Sequence, residues 1–329
     1  MLLAVTAALA AADVCDNWQP PELVVVDDIG AGVAESSGLV YVDGEFRTIG
    51  DAGGEPVLYT FGADGSARGE QRIDGATNTD WEDLAAGPCS IDSEKTCIFI
   101  ADIGDNDDSR DSIILWRLAV SSEAREEATA CKLTYPEGKA HDAEALLMFP
   151  DGTVRIVTKE NDGVAKVFRA GQVDCEGTTA LSEEVEIDLG EAVTGGAVGA
   201  DGTLVALRSL ERAWVWRGCT LDWATIPDPI ELTGEEQGEG ICFGESDALF
   251  TTSEGDPLEM HALACDTAAA LECPACGCQG GNTPAGLVAA LAAAGMLGGR
   301  RRDQTRKGSG RSRSHSPSLR GLRGSQTHR

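Results

Sequence analysis

The chain has 329 residues, 42% of them hydrophobic, so it can fill a large core and is not disordered throughout. Its formal net charge is −29, from 26 basic and 55 acidic residues, and residues 300–329 hold ten of the basic and one of the acidic ones. The remaining 16 basic and 54 acidic residues give residues 1–299 a net charge of −38. A body this acidic repels nucleic acid and anionic lipid and favours cations or basic partners, although a solvated acidic surface has the same composition.

The N-terminus is a short apolar run. Residues 1–12 end in an A-x-A site, which is typical of a signal peptide, although the basic residues that usually open one are missing. A buried N-terminal strand is the alternative. Eleven cysteines in an exported chain indicate disulfides and an oxidising compartment. Cys89 and Cys97 flank a short polar turn and are the predicted pair, whereas the spacing of the others fixes no pairing.

A four-strand pattern recurs five times within residues 20–265. Each repeat opens with an innermost strand, followed by an Asp- and Gly-rich turn, a second strand and a third strand. In the first four repeats a fourth strand follows. The innermost strands begin at Ser36, Trp81, Asp142, Thr194 and Gly238. The pattern predicts an all-β fold, a β-propeller with five blades, or six if one blade is irregular. A two-sheet sandwich is the alternative, because it also has many short, evenly spaced strands.

The last repeat has no fourth strand after its third strand at residues 258–261. The apolar segment at residues 22–26 can supply that strand, so that both ends of the domain share one blade and close the ring. Closure removes the free sheet edges that invite aggregation. We therefore expect residues 23–26 to pair in the blade that contains residues 241–264.

One face of a propeller carries the connections from fourth to first strands and from second to third strands. In this register the face collects fifteen carboxylates: Glu35, Asp51, Asp80, Glu82, Asp83, Asp102, Asp105, Asp107, Asp108, Asp142, Glu144, Glu160, Glu239, Glu254 and Asp256. Crowded carboxylates repel one another unless cations or protons neutralise them, and all-oxygen ligand sets suit Ca²⁺. A solvated acidic rim is the alternative. Residues 102–108 are the densest run, without the spacing of an EF-hand loop.

Ten residues near this channel face are candidates for a site. The predicted metal ligands are Glu82, Asp83, Asp102, Asp105, Asp142 and Glu144. Lys159, Arg208 and Glu239 are predicted to contact a ligand, although the two cations can equally pair with nearby carboxylates. His141 is a candidate acid or base, with hydrogen bonding inside the fold as the alternative.

Three segments carry a resemblance to known proteins. Trp81-Glu82-Asp83-Leu84-Ala85, Asp102-Ile103-Gly104-Asp105-Asn106 and His141-Asp142-Ala143-Glu144-Ala145-Leu146 resemble a poorly characterised group of bacterial secreted propeller proteins. The likeness runs over roughly residues 20–265 and implies a propeller fold and export, with no settled activity. The layout looks more distantly like the β-propeller phytases and lactonases, which are calcium-dependent hydrolases, but only at the level of fold.

The C-terminus looks like a tripartite sorting signal. A Cys/Gly/Pro linker at residues 266–283 contains Cys273-Pro274-Ala275-Cys276-Gly277-Cys278, and residues 284–302 are an apolar stretch closed by three arginines. This order is similar to the myxobacterial type of signal, which implies processing near the cysteines and attachment to the cell surface or outer membrane of a Gram-negative bacterium. Residues 303–329 form a basic tail, predicted to be disordered, that such signals normally lack. A zinc knot is the alternative for the cysteines, although only one C-x-x-C is present.

These patterns together predict a secreted, surface-anchored acidic propeller. We expect it to bind a ligand or protein partner on its channel face together with Ca²⁺. The alternative function is a calcium-dependent hydrolase of phosphoesters or lactones. We expect a monomer without a nucleic-acid partner, which meets the membrane only through its C-terminal segment.

Overall fold

The computed structural model describes residues 15, 17–27, 30–90, 93–218, 221–235 and 237–265. These residues form 22 strands in five sheets, and the sheets are the five blades of a β-propeller, which confirms the predicted fold class. The predicted signal peptide at residues 1–12 and the linker, sorting segment and tail from residue 266 onward lie outside the described residues.

The blades follow one another along the chain. Blade 1 contains β2 (Ser36–Val42), β3 (Glu45–Gly50), β4 (Val57–Phe61) and β5 (Ala67–Asp74). Blade 2 contains β6 (Trp81–Pro88), β7 (Thr96–Asp102), β8 (Ile113–Ala119) and β10 (Thr129–Thr134). Blade 3 contains β11 (Ala143–Met148), β12 (Thr153–Thr158), β13 (Val164–Gln172) and β15 (Ser182–Asp188). Blade 4 contains β16 (Gly195–Val198), β17 (Leu204–Arg208), β18 (Arg212–Arg217) and β19 (Ile230–Glu231).

Blade 5 is built from both ends of the domain. It contains β20 (Gly238–Phe243), β21 (Leu249–Ser253), β22 (Glu259–Leu263) and the N-terminal β1 (Glu22–Val25). β1 pairs antiparallel with β22, with Glu22 opposite Ala262 and Val25 opposite Glu259. The predicted closure of the ring by the N-terminal strand is confirmed.

Two blades carry an extra outer strand that the sequence pattern did not predict. β9 (Arg125–Glu127) pairs parallel with β5, and β14 (Thr178–Ala180) pairs parallel with β10. Short 3-10 turns occur at Ala31–Glu35, Pro136–Gly138 and Glu245–Asp247. Within the described part of the chain, no helix has the length and apolar character needed to cross a bilayer.

Apolar side chains fill the five interfaces between neighbouring blades. Each interface holds one cluster of buried residues contributed by both blades. Going around the ring from the interface of blades 1 and 2 to that of blades 5 and 1, the clusters include Leu58 and Ile98, Leu133 and Ile156, Val167 and Leu207, Ala206 and Ile241, and Met260 and Phe61. Burial of these faces is the main favourable contribution to folding. The core is therefore a ring of five apolar layers, and the layer between blades 5 and 1 includes Val24 and Val26 from the N-terminal segment.

Three disulfides hold the described part of the chain. They join Cys15 to Cys265, Cys89 to Cys97 and Cys131 to Cys175. The second is the pair predicted from the sequence, across the turn between β6 and β7. Among the described cysteines, Cys242 is free and buried.

Non-reducing peptide mapping should recover Cys89 and Cys97 in one linked species. Their sulfur atoms are bonded across a hairpin, so neither thiol is open to an alkylating reagent unless a reductant is present. Cys242 serves as the internal control, because it should react only after unfolding. Alkylation of Cys89 or Cys97 in the native, unreduced protein would contradict the pairing.

Candidate functional site

The innermost strands share an irregularity at the channel mouth. In four of the five blades the pairing of the first two strands shifts register, between Ser36 and Leu39, Trp81 and Asp83, Ala143 and Ala145, and Gly238 and Ile241. A β-bulge of this kind re-aims the side chain of the extra residue. The residues at the shifts include Ser37, Glu82, Glu144 and Glu239, which we call the channel ring.

The channel ring lines a small cavity, here called the acidic funnel. The funnel has a volume of about 100 Å³, and its other lining residues are Asp51, Ala52, Asp80, Asn106, Lys159 and Glu254. Six of its ten lining residues are carboxylates and one is a lysine. The lining comes from both kinds of connection that the sequence assigned to this face. Asp51 lies in a connection from a second to a third strand, and Asp80 lies in one from a fourth to a first strand.

Three carboxylates of the funnel converge. Asp51, Asp80 and Glu82 each offer an oxygen atom, and these oxygens lie within 4.8 Å of one another. Ligands of one Ca²⁺ at 2.3–2.6 Å are at most about 5 Å apart, so the three residues fit a shared calcium ion. The sequence placed Asp51 and Asp80 on this face but did not include them among the predicted metal ligands. Their separation of 29 positions in the chain gave no spacing signal.

Glu82 and Glu144 are buried acids in direct contact. Glu82 is 5% exposed and Glu144 is 3% exposed, and their side chains are hydrogen-bonded to each other. Burial, followed by the charges of Glu144 and Asp51, raises the pKa of Glu82 to about 11. Burial also raises the pKa of Glu144, although Lys159 opposes the rise with a contact of 2.5 Å between its Nζ and Oε1 of Glu144. No salt bridge to Glu82 forms among the described residues, so a proton or a bound ion would offset its charge.

Two further acids of the funnel are incompletely compensated. Burial and then the charge of Glu144 raise the pKa of Glu239 to about 8. Its Oε2 atom is buried and has no hydrogen-bond partner among the described residues. Burial and then the charge of Asp51 raise the pKa of Asp80 to about 6. An unpaired buried acceptor costs about 1–3 kcal/mol, so the funnel is more stable when a donor or cation meets Oε2 of Glu239.

The other predicted metal ligands take part in internal hydrogen bonds. Asp102 is fully buried and accepts from Arg110 at 2.8 Å and from Nε1 of Trp116 at 3.2 Å. Asp105 closes its own loop by accepting the backbone N–H of Arg110 at 2.7 Å, and Asp142 accepts the N–H of Asp105 at 2.8 Å. We therefore revise the predicted set, because Asp102 and Asp105 stabilise their own loop and, of residues 102–108, Asn106 lines the funnel while the acids do not.

Asp83 lies out of contact with solvent and connects blades. Its two carboxylate oxygens accept the backbone N–H groups of Leu84 and Leu146, each at 2.7 Å, and it also accepts from the backbone of Gly196. Burial holds its pKa well above the usual range, while these hydrogen bonds act in the opposite direction. Of the six predicted ligands, Glu82 and Glu144 alone line the acidic funnel.

Arg208 pairs with a carboxylate inside the fold, which is the alternative that the sequence left open to its predicted contact with a ligand. Its side chain is fully buried and pairs with the equally buried Glu235 at 2.8 Å. The remaining donors of the guanidinium bind backbone oxygens, including those of Leu210 and Gly240 at 3.0 Å. No donor is left for an anionic ligand. Glu235 was not among the residues predicted from the sequence, although it lies in a connection from a fourth strand to a first strand, as Asp80 does.

His141 lines a second cavity beside the funnel. Its ring lies 5.0 Å from that of Tyr135 and 4.9 Å from that of Phe168, and burial followed by the charge of Lys166 lowers its pKa. We call this cavity the side cleft. It has a volume of about 360 Å³ and is lined by Asn106, Asp108, Ala140, His141, Asp142, Lys159, Glu160, Asn161 and Lys166. It shares Asn106 and Lys159 with the funnel, so the two cavities adjoin.

The fold and the site define the chain as a five-bladed propeller with an acidic channel mouth. No protein-family model and no curated protein matches the sequence. The chain is similar to the PQQ-bound form of an aldose sugar dehydrogenase from Streptomyces coelicolor, with 10% identity, 74% of this chain and 98% of that chain covered, and a TM-score of 0.44. It is also similar to a gluconolactonase from Xanthomonas campestris, with 15% identity, 70% and 73% covered, and a TM-score of 0.41. We draw no functional argument from likenesses this distant.

Proposed function

We propose that the protein is a calcium-binding propeller that holds a ligand or partner at its channel mouth. The observation that carries this proposal is the convergence of Asp51, Asp80 and Glu82 within 4.8 Å. The three residues come from two blades, so only the folded ring assembles the site. Ca²⁺ would be held by their carboxylate oxygens.

The charge balance of the funnel supports a cation. Six carboxylates line it, and the ammonium group of Lys159, the one cation among its lining residues, is already paired with Glu144. Protons can neutralise some of these groups, as the raised pKa values of Glu82 and Glu239 indicate. A divalent ion neutralises two charges at once.

The donor set favours Ca²⁺ over other metals. The funnel lining contains no histidine and no cysteine, the side chains that zinc and copper prefer. Mg²⁺ demands a small octahedral shell and keeps several waters. Ca²⁺ accepts six to eight oxygens in flexible geometry, and three carboxylates supply at most six of them. The remaining positions are open to water or to oxygen atoms of a ligand.

Calcium should raise the melting temperature of the purified domain. A ligand at a hundred times its Kd stabilises the folded state by about 2.7 kcal/mol, which corresponds to roughly 5–10 °C for a domain of this size. Asp80→Asn should abolish most of this shift. It should also raise the melting temperature in chelator, because it removes one of the mutually repelling charges.

Glu186→Gln is the matched control for this experiment, because it removes one negative charge from an exposed position on the outer strand of blade 3. It should keep the full calcium-induced shift at equal ionic strength. An equal shift in the Asp80→Asn variant would place the calcium site outside the funnel, and no shift in the unaltered protein would leave only a solvated acidic rim; either result would contradict the proposal.

The alternative of calcium-dependent hydrolysis needs a general base beside the ion. His141 packs against Tyr135 and Phe168 and lines the side cleft rather than the funnel. His141 is therefore not assigned as that base, and binding is the function that we propose.

We also propose that the protein is exported and attached to the cell surface. The three disulfides support an oxidising compartment, and the order of cysteines, apolar stretch and arginines in residues 273–302 supports processing. Intact mass measurement of the native protein should place its C-terminus near Cys276 or Cys278 in the surface fraction. Native chains that keep residues 300–329 would contradict this part of the proposal.

A further inference from the structure

The side cleft offers hydrogen-bonding groups of both kinds. The amides of Asn106 and Asn161 are exposed and make no side-chain hydrogen bond in the described part of the structure. Asp142 uses its Oδ1 for the N–H of Asp105, and Lys166 lies 3.9 Å from Glu160, which is a long ion pair. The cleft therefore presents amide, carboxylate and ammonium groups that are available to a ligand.

The lining favours an uncharged polar ligand. Alanine at position 140 and the ring of His141 are its apolar surfaces, so an apolar ligand would gain little by entering. Lys159 and Lys166 already have the carboxylate partners Glu144 and Glu160, so a charged ligand must compete with an existing ion pair to gain a countercharge. A neutral ligand with many hydroxyl groups avoids this competition, because each hydroxyl both donates and accepts hydrogen bonds.

We propose that the side cleft binds a neutral polyhydroxylated ligand of the sugar class, hydrogen-bonded to Asn106, Asn161 and Asp142. A volume of about 360 Å³ lies within the range of small-molecule sites. The cleft adjoins the funnel through Asn106 and Lys159, so a hydroxyl group of the bound sugar can reach a cation held by Asp80 and Glu82. This last contact rests on the proposed function, whereas the contacts within the cleft do not.

Saturation-transfer NMR with a panel of neutral mono- and disaccharides tests the inference on the disulfide-intact protein in calcium. At least one neutral sugar should show transfer, and gluconate and glucosamine should bind more weakly than glucose-type neutral sugars. Asn161→Leu should weaken binding roughly fivefold to tenfold, the effect of one lost hydrogen bond. Gln172→Leu, an exposed amide at the other end of the third strand of blade 3, should bind as the unaltered protein does.

Absence of transfer to every neutral sugar, stronger binding of the charged analogues, or undiminished binding in Asn161→Leu would overturn the inference. The calcium-induced melting shift separates it from the proposed function. Asn161→Leu should keep that shift, because Asn161 is not a proposed calcium ligand. Sugar binding that is lost in Asn161→Leu but unchanged in Asp80→Asn would support the cleft and count against a role for the calcium ion in holding the sugar.

Discussion

Replacing Glu235 by glutamine should destabilise the folded protein by about 3–5 kcal/mol. Arg208 and Glu235 are both fully buried, and their contact of 2.8 Å pairs the two charges. Glu235 also accepts the hydroxyl hydrogen of Thr251 at 2.5 Å. The neutral amide would leave the guanidinium without a countercharge in the interior, which is costly because a buried charge cannot be solvated. Urea unfolding at neutral pH measures the loss.

The same blade offers a matched control. Glu231 pairs with Arg212 at 3.0 Å, but its side chain is 60% exposed, so Glu231→Gln should change the free energy of unfolding by less than about 1 kcal/mol. The double variant Arg208→Met with Glu235→Met should be more stable than Glu235→Gln, because it removes both buried charges. Equal stability of Glu235→Gln and Glu231→Gln would contradict the account of this pair.

Removing the Cys15–Cys265 disulfide should cause the second large loss in the free energy of unfolding. The bond spans 250 residues. It joins the segment before β1 to the segment after β22, the two antiparallel strands that close the ring. On the chain-entropy model a loop of this length is worth about 5.5 kcal/mol, against about 2.5 kcal/mol for the loop of eight closed by Cys89 and Cys97. Cys15→Ser with Cys265→Ser should therefore cost about twice as much as Cys89→Ser with Cys97→Ser.

Chemical unfolding of the two double variants, side by side, measures this difference. Hydrogen exchange should further show that loss of Cys15–Cys265 releases β1 before any other outer strand, because among the described strands β1 pairs with β22 alone and the disulfide ties down the segment that precedes it. An equal or larger loss for the short-loop variant would show that closure of the ring does not depend on this disulfide.

Ring closure was predictable because a missing strand is visible in a repeat. Four repeats show a fourth strand and the last does not, and an apolar segment remains at residues 22–26. The parallel strands β9 and β14 were not predictable, because each has three residues and lies in a connection without a hydrophobic pattern. Cys15 and Cys265 flank the two closing strands, so closure, once inferred, would have indicated their pairing.

The candidate site was predictable only in part. The repeat places Glu82, Glu144 and Glu239 at matching positions of three innermost strands, and all three line the funnel. Lys159 follows the last residue of the second strand of blade 3, whereas Arg208 is the last residue of the second strand of blade 4 and turns inward. Space for it exists because Gly238 has no side chain, since a Cβ there would collide with the guanidinium. Such a contact depends on packing between blades, which periodicity along one chain does not reveal.

The orientation of the acids in residues 102–108 was hidden for the same reason. Their composition resembles a cation loop, but Arg110 and Trp116 satisfy Asp102, and backbone N–H groups satisfy Asp105. The carboxylates that crowd Asp51 and Asp80, by contrast, come from other elements of the fold. Density of charge in sequence was therefore a poorer guide than convergence of connections in space.

Calorimetric titration of the metal-free protein with calcium chloride measures whether the acidic funnel binds Ca²⁺. We expect saturable binding of one ion per chain, abolished in the variant Asp51→Asn with Asp80→Asn and retained in Glu186→Gln. Absence of saturable binding in the unaltered protein, or equal binding in the Asp51→Asn and Asp80→Asn double variant, would contradict it.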